Sequence, residues 1–506
     1  MRRHGITEHP WKRAQAKDHA RDSGERRGMG PGPGPNGGEV AGDAPDGGSR
    51  GRSRRRILAG GVVFLAGALV LGACEDDDGM GPAVDETMFE VRVENVSESY
   101  DFTSTGVFNT PAGADDPGPL PPGGSYAFTF HAGPGSRVSF ATMFVQSNDL
   151  FYAPDGEGIQ VYDGSGMPLS GDITDQIYLW DAGTELNEEP GLGPNQAPRQ
   201  GGADTGPADT DETVRMADDA FGNLPAVGQA IQVTLTHLGA TEFRIRISNV
   251  APQDLLMTSN GGTAPVLLAP GVWTVGTGTD PLFTTGQPVR GLGLEALAED
   301  GAVSGYHQEL AARTGLTSPI APGVYAVHTG SSVLFTAGEA DTGEGLEGLA
   351  EDGAPGSLAS AAAAHSNVSG SGVFNTPEGA GSPAPALPGD AYTFTVSAVP
   401  GDRLSLATML VQSNDLFYAP ADAGIALFDA FGEPVTGDIT GMFLLWDAGT
   451  EVNEFPGVGP NQAPRQSGAD MGADENGTVR QVNDGYTYPA VDEVIRVTVT
   501  PMGSGS

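Results

Sequence analysis

Residues 89–96, FEVRVENV, alternate strictly: Phe89, Val91 and Val93 are apolar, while Glu90, Arg92 and Glu94 between them are charged. A period of two sets these groups on opposite faces of a β-strand. FRIRISNV repeats the pattern, with Phe243, Ile245 and Ile247 on the apolar face. The apolar runs YAFTF, RVSFATMFVQ, GIQVYD, IYLW and IQVTLT predict further strands, separated by loops bearing Pro and Gly. Seven or so short strands per unit predict an antiparallel β-sandwich.

The unit is written twice. GVFNTP begins at Gly106 and again at Gly372, an offset of 266 that also relates Asp149 to Asp415, Asp181 to Asp447 and Arg199 to Arg465. Roughly two-thirds of the positions between Ala141 and Gly202 are identical to their counterparts, the mark of a duplicated domain. Between the copies lies a smaller repeat: PLFTTGQPVRGLGLEALAEDG, then VLFTAGEADTGEGLEGLAEDG, each preceded by APGV and an aromatic, Trp273 or Tyr325. LEALAEDG predicts a short helix stopped at Gly301, and the rest of this stretch reads as strand and turn. FRIRISNV, ahead of it, matches the opening strand of copy one and is expected to open copy two. The fold expected is all-β: two duplicated, C2-like antiparallel sandwiches, at 88–240 and 366–503, with a small mixed insert at 241–365.

Charge narrows the function. Of 25 Lys+Arg, 13 fall in the first 56 residues; from Ile57 onward 12 basic residues face 58 acidic ones, a balance of −46 without a lysine. Such a surface repels nucleic acid and suits either a cation-binding protein or one kept soluble in salty surroundings. Gly 77 and Pro 39 in 506 residues favour turns over long helices. SRRRILAGGVVFLAGALVLGAC has a basic flank (Arg54, Arg55, Arg56), an apolar run from Ile57 and small residues before Cys74, the only cysteine. That order is an export signal, and its LGAC ending resembles a bacterial lipoprotein signal, in which the chain would be cut before Cys74 and Cys74 lipid-modified; an uncleaved membrane anchor is the alternative. SRRRIL also resembles a twin-arginine signal. Residues 1–73 are thus expected to be leader and signal and 74–87 an acidic linker, with the bulk of the chain exported to the cell envelope or surface, or secreted. With one cysteine, no disulfide forms within the chain.

LWDAGTE ends at Glu185 and again at Glu451, and QSNDLFYAP precedes it at the same distance each time. Gly183 permits the positive φ that folds the turn back, so Asp181 and Glu185 can point at one spot. Asp149 opens a loop that can supply a third oxygen donor. Carboxylates forced together need a shared proton or a cation, and oxygen donors on loops suit a hard cation, calcium ahead of magnesium.

SNDLFYAP, followed 32 residues after its Asp by WDAGTE, resembles the spondin N-terminal domain of F-spondin, mindin and many bacterial secreted proteins. GVFNTP, FATMFVQSNDLFYAP and NQAPRQ are similar to the bacterial branch. The resemblance implies a C2-like sandwich binding one calcium per domain, through Asp149, Asp181 and Glu185 and through Asp415, Asp447 and Glu451. Glu stands where the family has a final Asp, and the disulfides of animal members are absent. The resemblance further implies a surface binding or adhesion module with a glycan, matrix or cell-surface ligand.

Two other readings stand beside it: a hydrolase of extracellular glycans using the paired carboxylates, and a structural envelope component. A histidine-dependent site common to both copies is excluded, because His131 is answered by Ser397 and His237 falls opposite Pro501 or its neighbour. His307, His328 and His365 lack metal-ligand spacing. Trp180 and Trp446 are expected beneath the turn, Tyr152 and Tyr418 on an exposed recognition surface, and Arg199 and Arg465 bridging loop carboxylates or carbonyls.

Overall fold

The computed structural model describes residues 86–291 and 293–503; the signal segment, Cys74 and most of the acidic linker lie outside the described residues. Its long strands begin with β1 (Thr87–Asn95), β2 (Phe102–Phe108), β3 (Ser125–His131), β4 (Arg137–Phe144), β5 (Leu150–Pro154), β6 (Ile177–Asp181), β7 (Ile231–Gly239), β8 (Glu242–Asn249) and β9 (Leu268–Gly276). Helices α1 (Gly293–Asp300) and α2 (Ser304–Ala311) follow, then β10 (Ile320–His328) and helices α3 (Leu346–Asp352) and α4 (Gly356–Ala364). The chain ends with β11 (Val368–Phe374), β12 (Ala391–Ala398), β13 (Arg403–Leu410), β14 (Leu416–Pro420), β15 (Phe443–Asp447) and β16 (Ile495–Met502).

These strands build two antiparallel β-sandwiches. In the first, a sheet ordered β2-β9-β4-β5-β6 packs against a smaller one, β3-β8-β7; in the second, β11-β10-β13-β14-β15 packs against β12-β1-β16. Phe128, Phe130, Phe243 and Ile245 meet Phe140, Phe144 and Tyr152 in the first core, and Phe89, Val91 and Val497 meet Leu404, Leu406 and Tyr418 in the second. The outer face of each larger sheet is covered as well. Leu294 and Leu297 of α1 with Tyr306 and Leu310 of α2 pack on Ala141, Phe151 and Val272; Leu346, Leu349 and Leu358 pack on Val324, Ala407 and Phe417 in the second half. Sheets buried on both faces read as continuous apolar runs, which is why β4 and β13 are buried at every position after the first. Gly301 and Gly353, at φ 67° and 63°, stop α1 and α3 where LAEDG predicts. Helices α2 and α4 were not anticipated from sequence.

The sandwiches are not cut where the sequence repeats are. Strand β1 does not open the first sandwich. It lies between β12 and β16, with Phe89 opposite Val396 and Pro501. Strand β8, expected to open the second copy, pairs instead with β7 and β3 of the first, Phe243 opposite Phe130. The cause is local. Only Ala240 and Thr241 separate the paired residues Gly239 and Glu242, and so short a connection closes β7 and β8 into a hairpin. β8 takes the edge that β1 would have filled, and β1 fills the matching place in the other half. Asn249 donates to Leu120 O and Val266 O as Asn95 donates to Ser318 O and Ala386 O, so the two strands are seated alike.

The segment 241–365 is shared out in the same way. β9 and its helices complete the first sandwich; β10 and its helices complete the second. The first sandwich is therefore one continuous stretch, and the second is closed by a strand from the other end of the chain.

Candidate metal centre

Register brings the key aspartates together. Asp149 immediately precedes β5 and Asp181 ends β6, with Leu150 opposite Asp181; Leu416 faces Asp447 likewise. Asp149 and Asp181 thus stand at one end of the sheet on neighbouring strands. Asp149 Oδ2 accepts from Thr184 N at 2.8 Å, Thr184 Oγ1 at 3.2 Å and Glu185 N at 3.1 Å, and Asp415 repeats these contacts at 2.8, 3.3 and 3.2 Å. One carboxylate oxygen therefore folds the acidic turn over its own site. Gly183 and Gly449 sit at φ 70° and 73°, and a Cβ on Gly183 would come within 2.6 Å of Thr213 O.

The carboxylates fall into two adjoining compartments. In one, Asp181 Oδ2 accepts from Arg215 at 2.9 Å and Asn187 at 2.6 Å, and the same guanidinium reaches Asp209 at 2.6 Å. Arg480 bridges Asp447 and Glu475 at 2.9 and 2.7 Å in the second half, where Asp415, Asp447 and Glu475 offer oxygens within 4.8 Å of one another. In the other compartment, Glu185 is held by Asn148 Nδ2 at 3.1 Å and Gly206 N at 2.6 Å, and its oxygens come within 4.8 Å of those of Asp204 and Glu299. In the second half Asp470 and Glu351 answer Asp204 and Glu299, but the third member of the group is Glu347 of α3; Glu451, the counterpart of Glu185, is not among the three and is held by Asn414 Nδ2 at 3.1 Å. The structure thus unites Asp149 with Asp181, and Asp415 with Asp447, while Glu185 gathers with a helix carboxylate from α1. Sequence reasoning missed Glu299 and Glu351, which sit in the LAEDG repeat, Asp204 and Asp470, and the two bridging arginines, which recur in TVR.

The electrostatics separate the compartments. The arginine supplies the counter-charge in the first; among the described residues, no basic side chain bridges the second. Burial pushes Glu299 and Glu351 up to about 8, and Glu185 and Glu451 beside them add to the effect. Burial, with Asp181 adjoining, raises Asp149, while burial takes Asp415 to about 6 and, with Asp415 beside it, Asp447 to about 7. Asp149 Oδ1, Asp415 Oδ1, Glu351 Oε2 and Glu451 Oε1 are buried without a hydrogen-bond partner among the described residues. Buried oxygens of this kind are costly unless a proton or a cation satisfies them. These acidic clusters can hold a metal ion.

Surrounding residues brace the turn. Trp180 and Trp446 are core residues, their indoles donating to Ala153 O at 3.2 Å and Ala419 O at 3.1 Å. Arg199 donates to Gly193 O at 2.9 Å and Gln146 Oε1 at 2.8 Å, bridging a carbonyl and a side-chain amide. Tyr152 and Tyr418 are not exposed: both are fully buried in the sandwich cores, so they offer no recognition surface. The loop after each turn is braced differently in the two halves. Glu189 accepts from Ser259 N and Oγ, both at 2.6 Å, within the first sandwich, whereas Phe455 stacks on His131 of the neighbouring sandwich with 3.9 Å between ring centroids.

No protein-family model matches the chain, and no curated protein matches its sequence.

Proposed function

We propose that this is an exported, lipid-anchored protein whose two sandwiches belong to the spondin N-terminal domain family, bind calcium and form a cell-surface binding or adhesion module. The observation that carries the reading is the set of buried, partnerless carboxylate oxygens gathered round the same turn in both halves. Every donor is oxygen and most stand on loops, which suits calcium. Glu185, Asp204 and Glu299 would hold the ion in the first sandwich and Glu347, Glu351 and Asp470 in the second, with Asp149, and with Asp415 and Glu451, each bearing a partnerless oxygen, contributing from beside them. Asp181 and Asp447, tied to arginines, position the turn and complete the negative field.

Bound calcium would supply the positive charge that lets these carboxylates ionise together. The loops are then fixed as a rigid surface on which a glycan, matrix or cell-surface ligand can be recognised. A glycan hydrolase would need its acids facing a substrate, but Asp149, Asp181 and Glu185 are 0, 1 and 3 % exposed. The deciding experiment is calcium titration of the purified protein by calorimetry, with thermal melts in calcium and in EDTA. Calcium should raise the Tm, and Asp149→Asn combined with Asp415→Asn should abolish the response. Identical melts with and without chelator would end the reading.

A further inference from the structure

We propose that the first sandwich carries a binding site for an oxyanion, the carboxylate, phosphate or sulfate group of a small ligand, in a cavity separate from the acidic turn. A cavity of about 370 Å³ is lined by Arg137 at the start of β4, Arg290 before α1 and Arg313 after α2, with the hydroxyl-bearing side chains of Tyr100 and Thr277 between them. Only 12 basic residues follow Ile57, against 58 acidic ones; Asp101 and Asp280 line the same cavity, so its three guanidiniums leave one positive charge in excess, a local reversal in so acidic a chain.

Their compensation is uneven: Arg137 and Arg313 each have one ion pair, and Arg290 has none among the described residues. Arg137 donates to Glu157 O at 2.9 Å and Gly158 O at 3.3 Å, and makes a long ion pair with Glu157 Oε2 at 3.7 Å. Arg290 donates to the backbone oxygen of Asp280, and among the described residues it forms no ion pair. Arg313 pairs through Nε with the exposed Asp101 at 2.7 Å and lies 4.9 Å over the Phe102 ring. Arg137 and Arg290, held on backbone carbonyls, keep N–H groups free for a forked contact to an oxyanion, and Arg313 engages Asp101 through Nε alone.

The fold does not require this arrangement. At the matching positions of the second sandwich Arg403 is kept, but Thr342 and His365 stand in place of Arg290 and Arg313. The same framework is therefore built without the reversal of charge.

The test is calorimetric titration of the full-length protein, in EDTA so that no bound cation recruits the anion, with inorganic phosphate, sulfate and trigalacturonate as separate probes. At least one should bind with one site per chain; the pattern among the three tells a tetrahedral oxyanion from a sugar carboxylate. Arg290→Gln and Arg313→Gln should each weaken binding at least tenfold, Arg290→Lys less, and Arg403→Gln not at all. Arg313 also packs on Phe102, so the exposed Arg290 gives the decisive variant. Absence of binding by all three probes, or binding unchanged in a folded Arg290→Gln protein, overturns the proposal.

Discussion

The two sandwiches carry nearly the same acidic turn on differently closed frames. The first is continuous in sequence, its edge filled by a hairpin partner. The second holds the same place open for β1, which enters from the far end of the chain between β12 and β16. Closely similar sites on unequal frames show that the sequence repeat and the folded unit are separate things. The site depends on the β5–β6 register and a helix carboxylate, and either route to a completed sheet delivers both.

The sharpest way to break this comparison is to remove β1. Deleting residues up to Val96 takes Phe89, Val91 and Val93, all fully buried, from the second core alone. Each such side chain contributes about 1.5–3 kcal/mol, so the second half should lose its cooperative melting transition while the first keeps its own. Thermal melts followed by limited proteolysis distinguish the halves, and loss of both together would mean they do not fold as separate frames.

Next comes calcium. At 100 times Kd each occupied site should add about 2.7 kcal/mol of stability. Asp149→Asn should remove the first increment and Asp415→Asn the second, each halving the stoichiometry seen by calorimetry. A variant that silences both sites would show the halves to be coupled.

The pH dependence without calcium should be the same in both halves. Glu299 and Glu351, pushed up to about 8, hold protons in the folded state that the unfolded chain releases near the ordinary glutamate value of about 4.3. Their contribution is intact below that value and is lost as pH climbs towards 8, so urea-unfolding free energy in EDTA should fall between pH 5 and pH 8. Calcium replaces the protons and should flatten the slope. A stability that climbs with pH in EDTA would contradict the burial of these carboxyls.

The smallest expected effect is the most selective. His131→Ala removes the ring stacked on Phe455, an interaction worth about 0.5–1.5 kcal/mol. Calcium affinity should weaken in the second site by about tenfold at most and stay unchanged in the first, whose loop is tied to Ser259 instead.

Strand positions, the duplication and the meeting of Asp149 with Asp181 were legible because period-two patterning and a constant offset of 266 carry them. The owner of each edge strand was not. Phe89-Val91-Val93 and Phe243-Ile245-Ile247 present the same apolar face, and only the two-residue link after Gly239 distinguishes them. The helix carboxylates were hidden for a related reason. Glu299 follows Glu185 in the chain while Glu351 precedes Glu451, so no single offset ties helix to turn in both halves. Tyr152 and Tyr418 were misread because an aromatic in a loop-flanked strand reads as exposed until helices are known to cover the sheet's second face.

Strand β1 is synthesised some four hundred residues before β16, the partner it lies against. The first sandwich can finish as soon as α2 has emerged, whereas the second has to wait for the last strand, with an early apolar ribbon unsatisfied meanwhile. Assembly by so distant a pairing is slow and leaves that ribbon open to other exposed strand edges. The alternating charges of Glu90, Arg92 and Glu94 keep one of its faces soluble until the closing strand arrives.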